Sequence, residues 1–244
     1  MHDLIIRPSL EKHLDVSDEV LSLFGNFLTL WKERTFTDID VIEARRIFSY
    51  MVQEDKKSRT SHIGNVLAFN RHSWVVGEYA ANLARKLSDR GMATEIGLSP
   101  KEIEYAGGSH DIAKMFLDDS FQYAHEHAAY LLLKDNGCED LASTSQPHQP
   151  GEGTVLRMLH QAGDFLDVRE EDFCDNRKYP LASDLIMLAD MSCGLGYDGA
   201  LKRMTDIKTR YSPDTHLVSG INDLKKGEAR VLAIEERVNK LLSS

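Results

Sequence analysis

The sequence predicts an all-α fold, and three observations carry that expectation. Apolar residues recur at helical spacing through most of the chain. A complete helix-start signature stands at Ser99-Pro100-Lys101-Glu102, and short β-rich runs bounded by turns are almost absent. Residues 15–32 set Val20, Leu21, Phe24, Phe27, Leu28 and Trp31 close to an i, i+3, i+4, i+7 stripe. Residues 38–54 repeat the pattern with Val41, Ala44, Ile47, Phe48 and Met51. The polar stretch 55–61 reads as a loop, after which residues 72–89 align Val76, Tyr79, Ala80, Leu83 and Leu87 on one face.

At Ser99 the serine can accept from the amide three residues on, Pro100 occupies the first helical position without losing a hydrogen bond, and Glu102 completes the capping box. That helix is expected to run to about Phe116. The next, over 122–135, should stop at Asn136-Gly137, where a glycine suits a left-handed cap. Residues 142–153 are rich in turn formers and read as a loop. Helices are then expected over 154–163, 181–194 and 223–242. The expected organisation is a helical bundle over 61–244 with an N-terminal helical extension over 1–60, which could serve for dimerisation, as a lid or as additional core.

Composition narrows the class. The chain has 244 residues, 42% hydrophobic and 28% charged, which is ordinary for a globular protein. A net charge of −10 argues against binding long nucleic acid, which calls for a basic face, but leaves room for a small phosphorylated substrate beside a divalent metal. Cys138, Cys174 and Cys193 form no C-x-x-C pair, so reduced thiols are expected rather than a disulfide framework. No apolar stretch approaches the ~20 residues that span a bilayer, and the first residues lack a signal-peptide pattern. A soluble, cytoplasmic protein is expected, with a homodimer left open.

Three helices carry a residue that does not belong on a buried stripe. His72 continues the Val76–Tyr79 face by one turn, His110-Asp111 follows Ala106-Gly107 at i+4, and Asp190 lies four after Ile186. The Gly107-Gly108 step removes side-chain bulk and invites a close neighbour. A carboxylate on an apolar stripe is costly unless it is paired or bound to a cation. Two histidines and two aspartates make a mixed N/O set that suits Mn, Fe, Co, Ni or Zn more than Mg or Ca.

The order H…HD…D resembles the signature of the HD superfamily of metal-dependent phosphohydrolases. The segments HSWVVGEYAANLARKL (72–87), GGSHDIAK (107–114) and SDLIMLADMS (183–192) are similar to the family's first-ligand helix, central element and closing helix. The resemblance covers roughly residues 65–200. It implies an HD-domain helical bundle with one or two divalent ions (Mn, Fe, Co, Ni, Zn or Mg) held by His72, His110, Asp111 and Asp190. It also implies that metal-activated water cleaves a phosphate ester or anhydride, with Asp111 orienting the water and Lys114 facing the substrate phosphate. His125, His127 and His148 are further candidates for substrate contact. At most one of the first two is expected to point inward, since i and i+2 lie on different faces of a helix.

The chain lacks the Gly-Tyr-Pro element of the cyclic-di-GMP phosphodiesterases, the H-D-x-x-E-D of the alarmone hydrolases and the H-D-x-x-H of the dNTPases. A nucleotide or another small phosphorylated metabolite is the expected substrate class, without a choice between monoester and diester. Two other readings are an HD-fold di-iron oxygenase, which would also use extra histidines over 125–148, and a non-catalytic HD-like signalling module.

Overall fold

The structure, a computed structural model, describes residues 4–33, 37–58, 66–118, 124–146, 177–194, 196–210 and 220–244. The chain is all-α, and among the described residues two isolated bridges, Leu14 to Leu117 and Cys193 to Tyr197, stand in place of strands. The helices are α1 (Pro8–Glu11), α2 (Asp18–Glu33), α3 (Asp38–Ser58), α4 (Val66–Ser88), α5 (Ala93–Ile96) and α6 (Pro100–Gly108). A 3₁₀ turn (Ile112–Met115) follows, then α7 (His125–Asp135), α8 (Glu139–Ser145), α9 (Pro180–Asp190), α10 (Ala200–Arg210) and α11 (Gly220–Ser243). Among the described residues, no helix is long and apolar enough to cross a membrane.

The stripes read from the sequence face one another. Val20, Phe24, Phe27, Leu28 and Trp31 of α2 are all buried, as are Val41, Ala44, Ile47, Phe48 and Met51 of α3. The Phe27 and Tyr105 rings lie 4.5 Å apart between centroids, Phe24 and Phe116 4.8 Å, and Trp31 and Tyr105 5.4 Å. The Tyr105 hydroxyl donates to the Phe27 carbonyl, so its polar tip is satisfied in the interior. The N-terminal helices therefore share one continuous cluster of buried side chains with α4, α6 and α7. At roughly 1.5–3 kcal/mol for each large apolar side chain, this burial is what holds α2 and α3 in place.

Several boundaries differ from the sequence expectation. Helix α4 begins at Val66, a turn and a half before His72. The Ser99 capping box forms with both of its hydrogen bonds, but α6 ends at Gly108 rather than near Phe116. Ser109 closes it: its amide donates to Tyr105 and Ala106 and its hydroxyl to Ala106, after which the chain tightens into the 3₁₀ turn. Residues 142–145, expected in a loop, complete α8. Their Ser143, Thr144 and Ser145 hydroxyls donate to carbonyls of the preceding turn, which lets turn-favouring residues sit inside a buried helix. Helix α9 stops at Asp190 and not at 194. Gly137, at φ 76°, is the left-handed cap expected after α7. The helix expected over 154–163 lies outside the described residues.

Helices α4 and α6 cross with backbone close to backbone. A Cβ added to Gly107 would lie 2.8 Å from Gly77 Cα, and one added to Gly77 would lie 2.4 Å from the Glu104 carbonyl oxygen. At Gly108 a Cβ would fall 2.4 Å from the Trp74 ring. Backbone meets backbone here, and that contact brings the His72 and His110 segments together.

Candidate metal centre

His72 of α4, Asp190 of α9 and His110, from the turn that follows α6, converge. One ligand atom from each lies within 4.8 Å of the others. His72 Nε2 is 3.2 Å and His110 Nε2 3.6 Å from the same oxygen, Asp190 Oδ1. The two imidazoles stand edge to face, 5.2 Å apart between ring centroids and inclined at 76°. His110 is fully buried, and Asp190 is 6% exposed.

The other ring nitrogens decide what this cluster needs. His72 Nδ1 lies 3.0 Å from the Gly194 carbonyl oxygen, and His110 Nδ1 lies 2.7 Å from that of Gly107. A carbonyl oxygen only accepts, so each Nδ1 carries its hydrogen and donates. That leaves each neutral Nε2 lone pair turned toward a carboxylate, an arrangement that repels unless the imidazole takes up a proton or a cation sits between them. A metal-ligating histidine commonly shows this pattern, one nitrogen fixed by a backbone carbonyl and the other presented inward. Burial disfavours charge on His72, but Asp190, with Asp111 and the Gly194 carbonyl, outweighs it and raises the imidazole above its usual range.

Helix direction adds to the demand for a cation. Asp190 is the last residue of α9, where the helix already presents partial negative charge. Two donors bound about 2.1 Å from one ion are about 3–3.5 Å apart, a range that contains the 3.2 Å spacing of His72 from Asp190 Oδ1 and falls just short of the 3.6 Å of His110. The residues present therefore fit a divalent metal with mixed N/O ligands. Cys193 is not among the ligand atoms that converge, and burial, with Asp190 and Asp198 adding to it, pushes its thiol up to about 12.

Asp111 stands beside the cluster. Its Oδ2 is 3.6 Å from His110 Nε2 and accepts from Lys114 Nζ at 2.6 Å, while its Oδ1 is 3.1 Å from His125 Nε2. The fourth expected ligand is thus held between an imidazole and an ammonium at the rim. Lys114 and His125, both expected near substrate, meet here on Asp111. Lys114 keeps part of its side chain in solvent, whereas His125 is buried.

His127 corrects an expectation, since it is buried as completely as His125. The face argument fails because α7 is enclosed on every side: each residue from His125 to Leu133 is buried. Burial, with the nearby His125 charge adding to it, pushes His127 down to about 3, so it is neutral in the fold. His148 lies outside the described residues.

No family model, curated protein or solved structure matches this chain. The site stands on its own geometry. Sequence reasoning missed the two carbonyls, Gly107 and Gly194, that turn the histidines inward. It also missed Gly77, five residues after His72, which is the counterpart of the glycine step it did single out. A glycine inside an otherwise strong helical stripe was the available signal for that one.

Proposed function

We propose that this protein is a metal-dependent phosphohydrolase acting on a nucleotide or another small phosphorylated metabolite. The observation that carries the reading is the convergence of His72 Nε2 and His110 Nε2 on Asp190 Oδ1, with both Nδ1 hydrogens committed to carbonyls. His72, His110 and Asp190 would hold the ion, with Asp111 at its edge. A divalent ion there supplies Lewis acidity toward a phosphoryl oxygen and makes water a better nucleophile at neutral pH.

The chain's own residues divide the remaining work. Asp111, steadied by His125, orients a water and accepts its proton. Lys114 reaches solvent from its contact with Asp111, so its ammonium can turn to neutralise charge developing on a phosphate. The chain as a whole carries a net charge of −10, which favours a small substrate drawn to a local positive site over a long polyanion.

The test is a screen of nucleotides and phosphate esters with metal-stripped protein resupplied with Mn, Co, Ni or Mg. Phosphate release that depends on the added ion, and falls by roughly 100-fold or more in Asp111→Asn, supports the reading. Release that is unchanged by chelator, or absent with every substrate and ion, contradicts it. Bound iron with oxygen uptake and no phosphate release would favour oxidation in its place.

A further inference from the structure

Arg45 of α3 lies outside the metal cluster yet touches α4, which carries His72, and α6, which leads into the turn that carries His110. Its Nη2 donates to Glu104 on α6, and its Nη1 is 2.7 Å from Glu78 Oε1 on α4. Its Cζ lies 5.0 Å from the centroid of Trp74, the ring that occupies the space beside Gly108. Lys101 completes the group, 3.7 Å from Glu104 Oε2 and paired with Asp38 at the start of α3. Two points two turns apart on α3, Asp38 and Arg45, therefore bind the Lys101–Glu104 face of α6.

This lock sits where the crossing most needs one. Gly77, Gly107 and Gly108 let α4 and α6 approach closely, but glycines offer no interlocking side chains to fix one helix against the other along its length. A slip of one turn is about 5.4 Å, more than the spread of the three ligand atoms. A guanidinium presents its donors in a rigid planar fork, so one that engages a carboxylate from each helix fixes their register.

We propose that Arg45 is a positioning residue for the metal centre, holding α4 and α6 in the register that sets His72 and His110 on the same oxygen of Asp190. The inference rests on the metal-centre reading above and gives the N-terminal helices a task in it. Arg46, its neighbour, pairs with Glu43 on its own helix and overlies Tyr50, so it supplies an internal control.

The test is Co²⁺ binding to metal-stripped protein, followed by visible absorption well below the unfolding temperature. Arg45→Met keeps an aliphatic stem over Trp74 and is expected to weaken binding about tenfold and alter the absorption bands. Arg45→Lys, which can meet one carboxylate at a time, should recover part of the loss, and Arg46→Met should stay within about twofold of wild type. If Arg45→Met does not fold, Glu78→Gln removes one arm at an exposed position and should show a smaller loss in the same direction. Wild-type affinity and spectrum in folded Arg45→Met, or in Glu78→Gln where Arg45→Met does not fold, with only the melting temperature lowered, would make Arg45 a packing residue and overturn the inference. A wild-type protein that takes up no cobalt overturns the metal reading first, and the inference with it.

Discussion

The two halves of α9 each bury a carboxylate, but their partners differ in kind. Asp184 meets the guanidiniums of Arg177 at 2.8 Å and Arg237 at 3.4 Å. These cations are permanent, so the protein satisfies Asp184 by itself. Asp190, six residues on, faces two imidazoles whose Nδ1 hydrogens are already given to carbonyls. That end of the helix needs a cation that its histidines supply only by taking up a proton or by sharing an ion. A buried carboxylate on an apolar helix is therefore ambiguous as a site signal, and its partners resolve it.

The largest expected effect separates these two aspartates. Asp190→Asn should cut metal-dependent phosphate release by roughly 100-fold or more while leaving urea stability near wild type. Asp184→Asn should do the reverse, costing roughly 1–3 kcal/mol in urea unfolding by leaving the largely buried Arg177 without its carboxylate, with turnover per folded molecule unchanged. Equal effects of the two substitutions on turnover would break the comparison.

A smaller effect is expected at the helix crossing. Gly107→Ala drives a Cβ against the Gly77 backbone and should cost about 1–3 kcal/mol together with a measurable loss of metal affinity. Gly25→Ala, in open space on α2, should gain up to about 1 kcal/mol and leave the metal alone. Paired unfolding curves and metal titrations of the two variants check this.

Much of this was legible beforehand, and the misses have physical causes. The apolar stripes of α2, α3 and α4 report burial directly, because a half-buried helix must segregate its faces. The four candidate residues stood out because polar groups interrupt such stripes. What periodicity cannot report is where backbone comes close to backbone, so it left the matching of Gly77 to Gly107 unread, and only the glycine inside the α4 stripe hinted at it. The end of α6 did carry a signal, the Gly107-Gly108 breaker pair before the Ser109 cap, but that pair reads equally as a close-approach step, and the expected helix ran past it. Helix α8 was lost for a related reason: serines and threonines read as turn formers unless their hydroxyls are known to bond back into the helix. His127 was misjudged because a helix buried all round has no outer face.

A pH-dependent effect uses that buried histidine as a contrast to the cluster. His127 has its folded pKa pushed down to about 3, below the roughly 6.5 of an unfolded histidine. The unfolded chain therefore binds a proton that the folded chain refuses. The resulting stability is complete above about pH 6.5 and is lost as pH falls toward 3. In metal-free protein, His127→Leu should flatten the fall in urea stability between pH 6.5 and 4. An unchanged slope would mean that His127 is protonated in the fold.

The most direct measurement is a titration of metal-stripped protein with Co²⁺, read by visible absorption alongside Asp190→Asn and Asp184→Asn. A metal centre at His72, His110 and Asp190 predicts at least one equivalent bound by wild type. It also predicts unaltered bands in Asp184→Asn and their loss in Asp190→Asn. No binding by wild type, or the same spectrum in all three proteins, would contradict it.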